Sequence, residues 1–120
     1  MTDSPRLDPA ALTRLDKLGG PGFARRIIGI FLTEGPRRIA DAREALGRRD
    51  GPALAHAVHA LISSSGNVGA MDLADLVRQL EQEAEQRRWD VLPTGLARLD
   101  REFDAVRGEL ERVMEAASGS

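Results

Sequence analysis

The sequence predicts an all-α protein, an antiparallel four-helix bundle with a short additional N-terminal helix. Three observations carry that reading. Ala and Leu together number 32 while Val, Ile and Thr number 15, so helix formers outweigh the β-branched residues that favour strands. No period-two alternation bounded by hairpin dipeptides occurs, and no internal repeat of roughly 20 to 50 residues is present. Apolar residues instead recur at offsets of three and four, in segments separated by Gly and Pro.

The first helix is short, with Asp8 as N-cap, Pro9 as its first residue and Gly19-Gly20 as its stop; Leu12, Leu15 and Leu18 are its apolar positions. A second begins near Pro21 and puts Phe23, Ile27, Ile30 and Phe31 on one stripe. A kink or break is expected at Pro36, after which Ile39, Ala42 and Leu46 resume the pattern. Arg48-Arg49-Asp50-Gly51 closes this segment. Pro52 opens the third helix, whose Leu54, Val58, Leu61, Ser65 and Val68 make one buried face. A turn at Asn67 to Gly69 leads to the fourth, carrying Leu73, Leu76, Val77, Leu80 and Ala84, and the short loops make neighbours antiparallel. Trp89 to Thr94 interrupts the pattern. The fifth helix runs from about Leu96 to Met114 with Leu96, Leu99, Phe103, Val106, Leu110 and Val113 inward, and Ser118-Gly119-Ser120 is expected to fray.

A length of 120 residues fits one domain, 1–120, with its core over about 8–115. Net charge is −2, aromatic residues make up 3% and Tyr is absent, so neither a basic footprint nor a stacking platform for nucleic acid is present. The absence of Cys excludes disulfides, zinc-thiolate sites and thiol nucleophiles. MTDSPRLDP has no apolar signal core and no stretch reaches the roughly 18 to 20 apolar residues of a membrane span, so a cytoplasmic monomer without membrane association is expected. Residues 1–60 are net basic and 61–120 net acidic. Most of this charge reads as solvated surface, although the Arg pairs 25-26, 37-38 and 48-49 are placed to steer an acidic partner. Arg supplies 16 of 17 basic residues, a bias that, with abundant Ala, fits a GC-rich bacterial genome.

Imidazole chemistry is confined to His56 and His59, both on the third helix. At about 100° per residue, with Leu54 at zero, His59 falls near 140°, away from the buried stripe. Ile62, Ser63 and Gly66 surround it near 80°, 180° and 120°, giving little steric cover, while His56 lies near 200°. An exposed imidazole beside small residues suits nucleophilic attack on phosphorus, since an unperturbed imidazole is mostly neutral near pH 7. From spacing alone the favoured reading is two surface histidines on an Ala-rich helix. Ser63, Ser64 and Ser65 lack an oxyanion hole, and helix-interior serines bond the preceding turn. His56-x-x-His59 lacks the Glu-x-x-His motifs of a di-metal bundle, so no metal site is expected. Gly19-Gly20-Pro21-Gly22 lacks the following Lys of a phosphate loop and reads as a linker turn.

The segment AHAVHALISSSGNVGAMDLADLVRQLE, residues 55–81, resembles the histidine-containing phosphotransfer (HPt) domain of bacterial two-component phosphorelays. That family's pattern is approximately A-H-x-L-K-G-S-S-x-x-x-G, followed by helically spaced leucines and L-E; His59, Leu61, Ser64, Ser65, Asn67, Gly69, Leu73, Leu76 and Leu80-Glu81 stand in matching places. Phe31-Leu32, Pro36, Ile39 and Arg48 to Asp50 look like the family's long preceding helix and its acidic turn, and the resemblance covers about residues 8–115. It implies a four-helix HPt bundle with His59, not His56, as phospho-acceptor. The implied partners are response-regulator receiver domains and a hybrid histidine kinase. Mg²⁺ would sit on the receiver, so this chain needs no cofactor, and the chain would be a carrier without autonomous catalysis. Two positions depart from the pattern: the Lys three after the histidine is Ile62, and the Gly after it is Ser63. Losing the ammonium removes a charge-assisted contact typically worth about 1.5 to 3 kcal/mol. Ser63 keeps access open, and counting across the turn puts Arg78 level with His59 as a substitute cation. The alternative reading is a non-phosphorylated adaptor that binds a receiver or kinase through the same face.

Overall fold

The structure, a computed structural model, describes residues 6–118. Five helices follow in chain order: α1 (Pro9–Gly19), α2 (Phe23–Arg48), α3 (Gly51–Asn67), α4 (Met71–Glu85) and α5 (Leu92–Ser118), with no strand among the described residues. The last two residues of the expected frayed tail, Gly119-Ser120, lie outside them.

Local chemistry sets the helix ends. The Asp8 carboxylate accepts from Ala10 N at 3.0 Å to cap α1, and the Asp50 carboxylate accepts from Ala53 N at 3.0 Å to cap α3. Gly22, at the head of α2, has no capping side chain; the Asp16 carboxylate of α1 accepts from Ala24 N at 2.9 Å instead, so one helix caps the next.

Helices α2 to α5 close a ring in which each packs on two neighbours, while the backbones of the diagonal pairs α2–α4 and α3–α5 stay apart across the shared core. The stripe Leu54, Val58, Leu61, Ser65 and Val68 of α3 is buried as expected, facing Leu73, Val77, Leu80 and Ala84 of α4 and Leu96, Leu99, Phe103, Val106 and Leu110 of α5. The short α1 packs on α2 and α3 at the end formed by the α3–α4 turn. There Asp8 N donates to Gly69 O at 2.9 Å. Gly69 has φ +84°, and a Cβ on it would lie 2.8 Å from the Asp8 carbonyl oxygen, so a side chain at 69 would push α1 off its seat.

Four expectations need correction. Pro36 does not break α2, which runs unbroken through it. Its ring is exposed, while neighbouring Gly35 is buried where a Cβ would collide with the Phe103 ring. This close approach lets Phe31 and Phe103 pack with ring centroids 5.1 Å apart, locking α2 to α5 across the proline. The buried stripe of α2 is Ile28, Phe31, Gly35 and Ile39 rather than one through Ile30, which is 55% exposed. Helix α5 starts at Leu92, four residues early, because Pro93 lies in its first turn, where no amide donor is required. Leu18 and Val113, assigned apolar contacts from periodicity, are 83% and 39% exposed: Leu18 lies in the last turn of α1, and Val113 faces outward while Leu110 and Met114 beside it pack on the core.

Candidate functional site

Helix α3 presents Leu54, Val58 and Leu61 to the core and so turns His59 outward. Its side chain is 67% exposed, and Nδ1 lies 2.7 Å from Oε2 of Glu81 on α4. A carboxylate accepts, so Nδ1 carries the hydrogen and donates it. In the neutral ring this selects the tautomer whose Nε2 carries the lone pair. The Glu81 carboxylate is itself 23% exposed and belongs to a helix anchored by Val77, Leu80 and Ala84, which makes it a fixed support for the ring.

Ser63 is exposed, one turn beyond His59, and a Cβ on Gly66 would meet nothing within 4 Å, so the surface is low there, as the helical projection indicates. Ile62 is half-buried and packs against the core with its apolar side chain. Ser64 Oγ donates to the carbonyl oxygens of Ala60 and Leu61, both at 3.3 Å, the local back-bonding expected of a helix-interior serine. Ser65 is fully buried and its Oγ has no hydrogen-bond partner.

The α4 residue facing His59 is Glu81, not Arg78. The guanidinium of Arg78 is paired with Asp75 at 2.8 Å, and in the register set by the His59–Glu81 contact, position 78 is level with Ile62. Counting from Val68-Gly69 misplaces the pivot: residues 68–70 are all buried, and the register turns on Ala70. Glu81 had a signal in the sequence. His59 directly follows buried Val58 and Glu81 directly follows buried Leu80, and in an antiparallel pair the residues just after such buried positions fall on the same flank.

A cleft of about 490 Å³ opens beside the histidine toward the start of α3, lined by Pro52, Ala55, His56, His59, Glu81, Glu85 and Arg87. His56 is exposed and borders this cleft, and on its other side a smaller one lined by Arg38, Asp41, Glu44 and Arg48. Among the described residues no cluster of three or more His, Asp or Glu side chains is arranged to hold a metal ion.

The Hpt domain family model matches residues 26–113. The chain belongs to the Hpt domain family. Its fold is similar to that of histidine-containing phosphotransfer protein B (HptB) from Pseudomonas aeruginosa PAO1, with TM-score 0.87 and 25% identity over 95% of this chain and 98% of that one. It is also similar in fold to the histidine-containing phosphotransfer protein ZmHP2 from maize, with TM-score 0.80 and 24% identity over 92% and 90% of the two chains. No curated protein matches the sequence significantly. Relay of a phosphoryl group through a histidine is thus the role of this Hpt domain. None of its described helices is long and apolar enough to cross a membrane.

Proposed function

We propose that His59 is the phospho-acceptor, and that the protein carries a phosphoryl group from one receiver-domain aspartate to another. The observation that carries this reading is the Nδ1–H···Glu81 hydrogen bond on an otherwise exposed ring. In the forward step the Nε2 lone pair attacks the phosphorus of an aspartyl phosphate. The N–P bond forms as the acyl P–O bond breaks, and the electron pair leaves on the receiver's carboxylate. The imidazole gains positive charge while keeping Nδ1–H, and the Glu81 carboxylate offsets that charge in place. Transfer to a second receiver reverses these events.

Ile62, Ser63 and Gly66 form the low surface on which the receiver seats, with Arg78 bordering it at the level of Ile62. Mg²⁺ and the acidic pocket belong to the receiver, including that of a hybrid histidine kinase. The chain thus acts as a cytoplasmic, monomeric carrier that supplies an oriented nucleophile and no catalysis of its own. Incubation with phosphorylated receivers tests this. Wild type should take up acid-labile, base-stable label; His59→Gln should take up none, and His56→Gln should keep most. Glu81→Gln should slow uptake about tenfold by removing the charge on the acceptor of the Nδ1–H bond. Label persisting on His59→Gln overturns the assignment, and receiver binding by wild type with no label at all establishes an adaptor instead.

A further inference from the structure

A phosphoryl group on His59 brings negative charge to a cleft that already holds the carboxylates of Glu81 and Glu85. Position 62, where the family pattern has a lysine, is an isoleucine turned to the core. Like charge at this distance disfavours the phosphorylated state unless a cation faces it. Arg87 is the cation that lines the cleft, and it does so through an unusual backbone conformation. Its φ is +56°, in the left-handed region that favours glycine, directly after α4 ends. This turns its side chain back over the start of α3, where its Cγ would lie 3.5 Å from a Cβ placed on buried Gly51. The other arginines of this region are engaged elsewhere: Arg78 with Asp75, Arg88 with Asp90, and Arg49 over the Trp89 ring. Among the described residues, Arg87 makes no ion pair within 4 Å.

We infer that Arg87 binds the phosphoryl group carried on His59 and supplies, from the end of α4, the positive charge that the family's lysine supplies from α3. The inference rests on His59 being the acceptor.

The test uses the whole chain phosphorylated with phosphoramidate, a small donor whose P–N bond breaks with release of ammonia, so that no receiver surface enters. Arg87→Gly removes the charge and relieves the backbone, and it should melt no lower than wild type. Its phosphohistidine should titrate, by ³¹P resonance, about 0.5 to 1 pH unit higher than in wild type. The equilibrium extent of phosphorylation against a phospho-receiver should fall about three- to tenfold, a loss that added salt reproduces in wild type by screening. Arg87→Lys should keep most of both. Unchanged titration and extent in Arg87→Gly, with label still confined to His59, overturns the inference and leaves the acceptor standing; label on His59→Gln overturns the acceptor itself.

Discussion

At one end of the bundle the α3–α4 turn lies under α1, with Val68, Gly69 and Ala70 buried against Leu7 and Ala11 and a backbone hydrogen bond from Asp8 to Gly69. At the other end the α2–α3 and α4–α5 turns meet without a covering helix among the described residues, and arginines join them. Arg49, at φ +53°, sets its guanidinium 5.8 Å from the centroid of the Trp89 ring, while Arg87 crosses in the opposite direction to Gly51. Around Gly69 there is no space for added atoms, whereas the arginine-joined end keeps charge and a cleft beside His59. The Gly69 seat and the arginine clasp thus lie at opposite ends of α3, with His59 midway between them.

The largest break in that comparison should come from Gly69→Ala. A side chain there is strained at positive φ and collides with the Asp8 backbone, so denaturant unfolding should show a loss of about 2 to 4 kcal/mol. His59 in the folded fraction should still label, because its support comes from α4 and not from α1. Arg49→Ala should cost less, about 0.5 to 1 kcal/mol by thermal melting, the range of an exposed cation–π contact. A loss as large as that of Gly69→Ala would show both ends to be equally packed. The smallest effect belongs to Asp90, whose carboxyl is held below the ordinary range by hydrogen bonds from Arg88, against a partial opposing effect of burial. A lowered folded-state pKa contributes stability above the unfolded value and loses it as pH falls through the folded one. Asp90→Asn should therefore differ from wild type only slightly near pH 7, and melting curves recorded in acid should converge.

Much of this was legible in the sequence because the helices announce their own ends. Asp8 as cap with Pro9 in the first turn marks the start of α1, and Pro52 marks that of α3, which the structure begins one residue earlier, at Gly51. The outward placement of His59 and the openness at Gly66 follow from the same periodicity. What escaped depends on partners distant in sequence. Pro36 reads as a break until Phe103 is seen packing against Gly35, and Ile30 reads as core until the ring of helices selects Ile28. Glu81 was visible within the family-like L-E pair, yet its contact with His59 depends on the antiparallel register, which a buried three-residue turn shifts. Arg87 escaped because a left-handed arginine has no signature in periodicity.

The indole clasped by Arg49 has a further use. Trp89 is the only tryptophan in a chain without tyrosine, so its near-ultraviolet emission arises from one known point. That point lies two residues from Arg87 and at the opposite end of the bundle from α1. Excitation near 295 nm therefore gives an optical readout, without any attached dye, of whether the clasp between the two turns shifts when His59 is loaded or a receiver arrives. Events confined to the α1 end should leave the emission unchanged, so a shift in the wild-type chain would report on the end where Arg49 and Arg87 join the two turns.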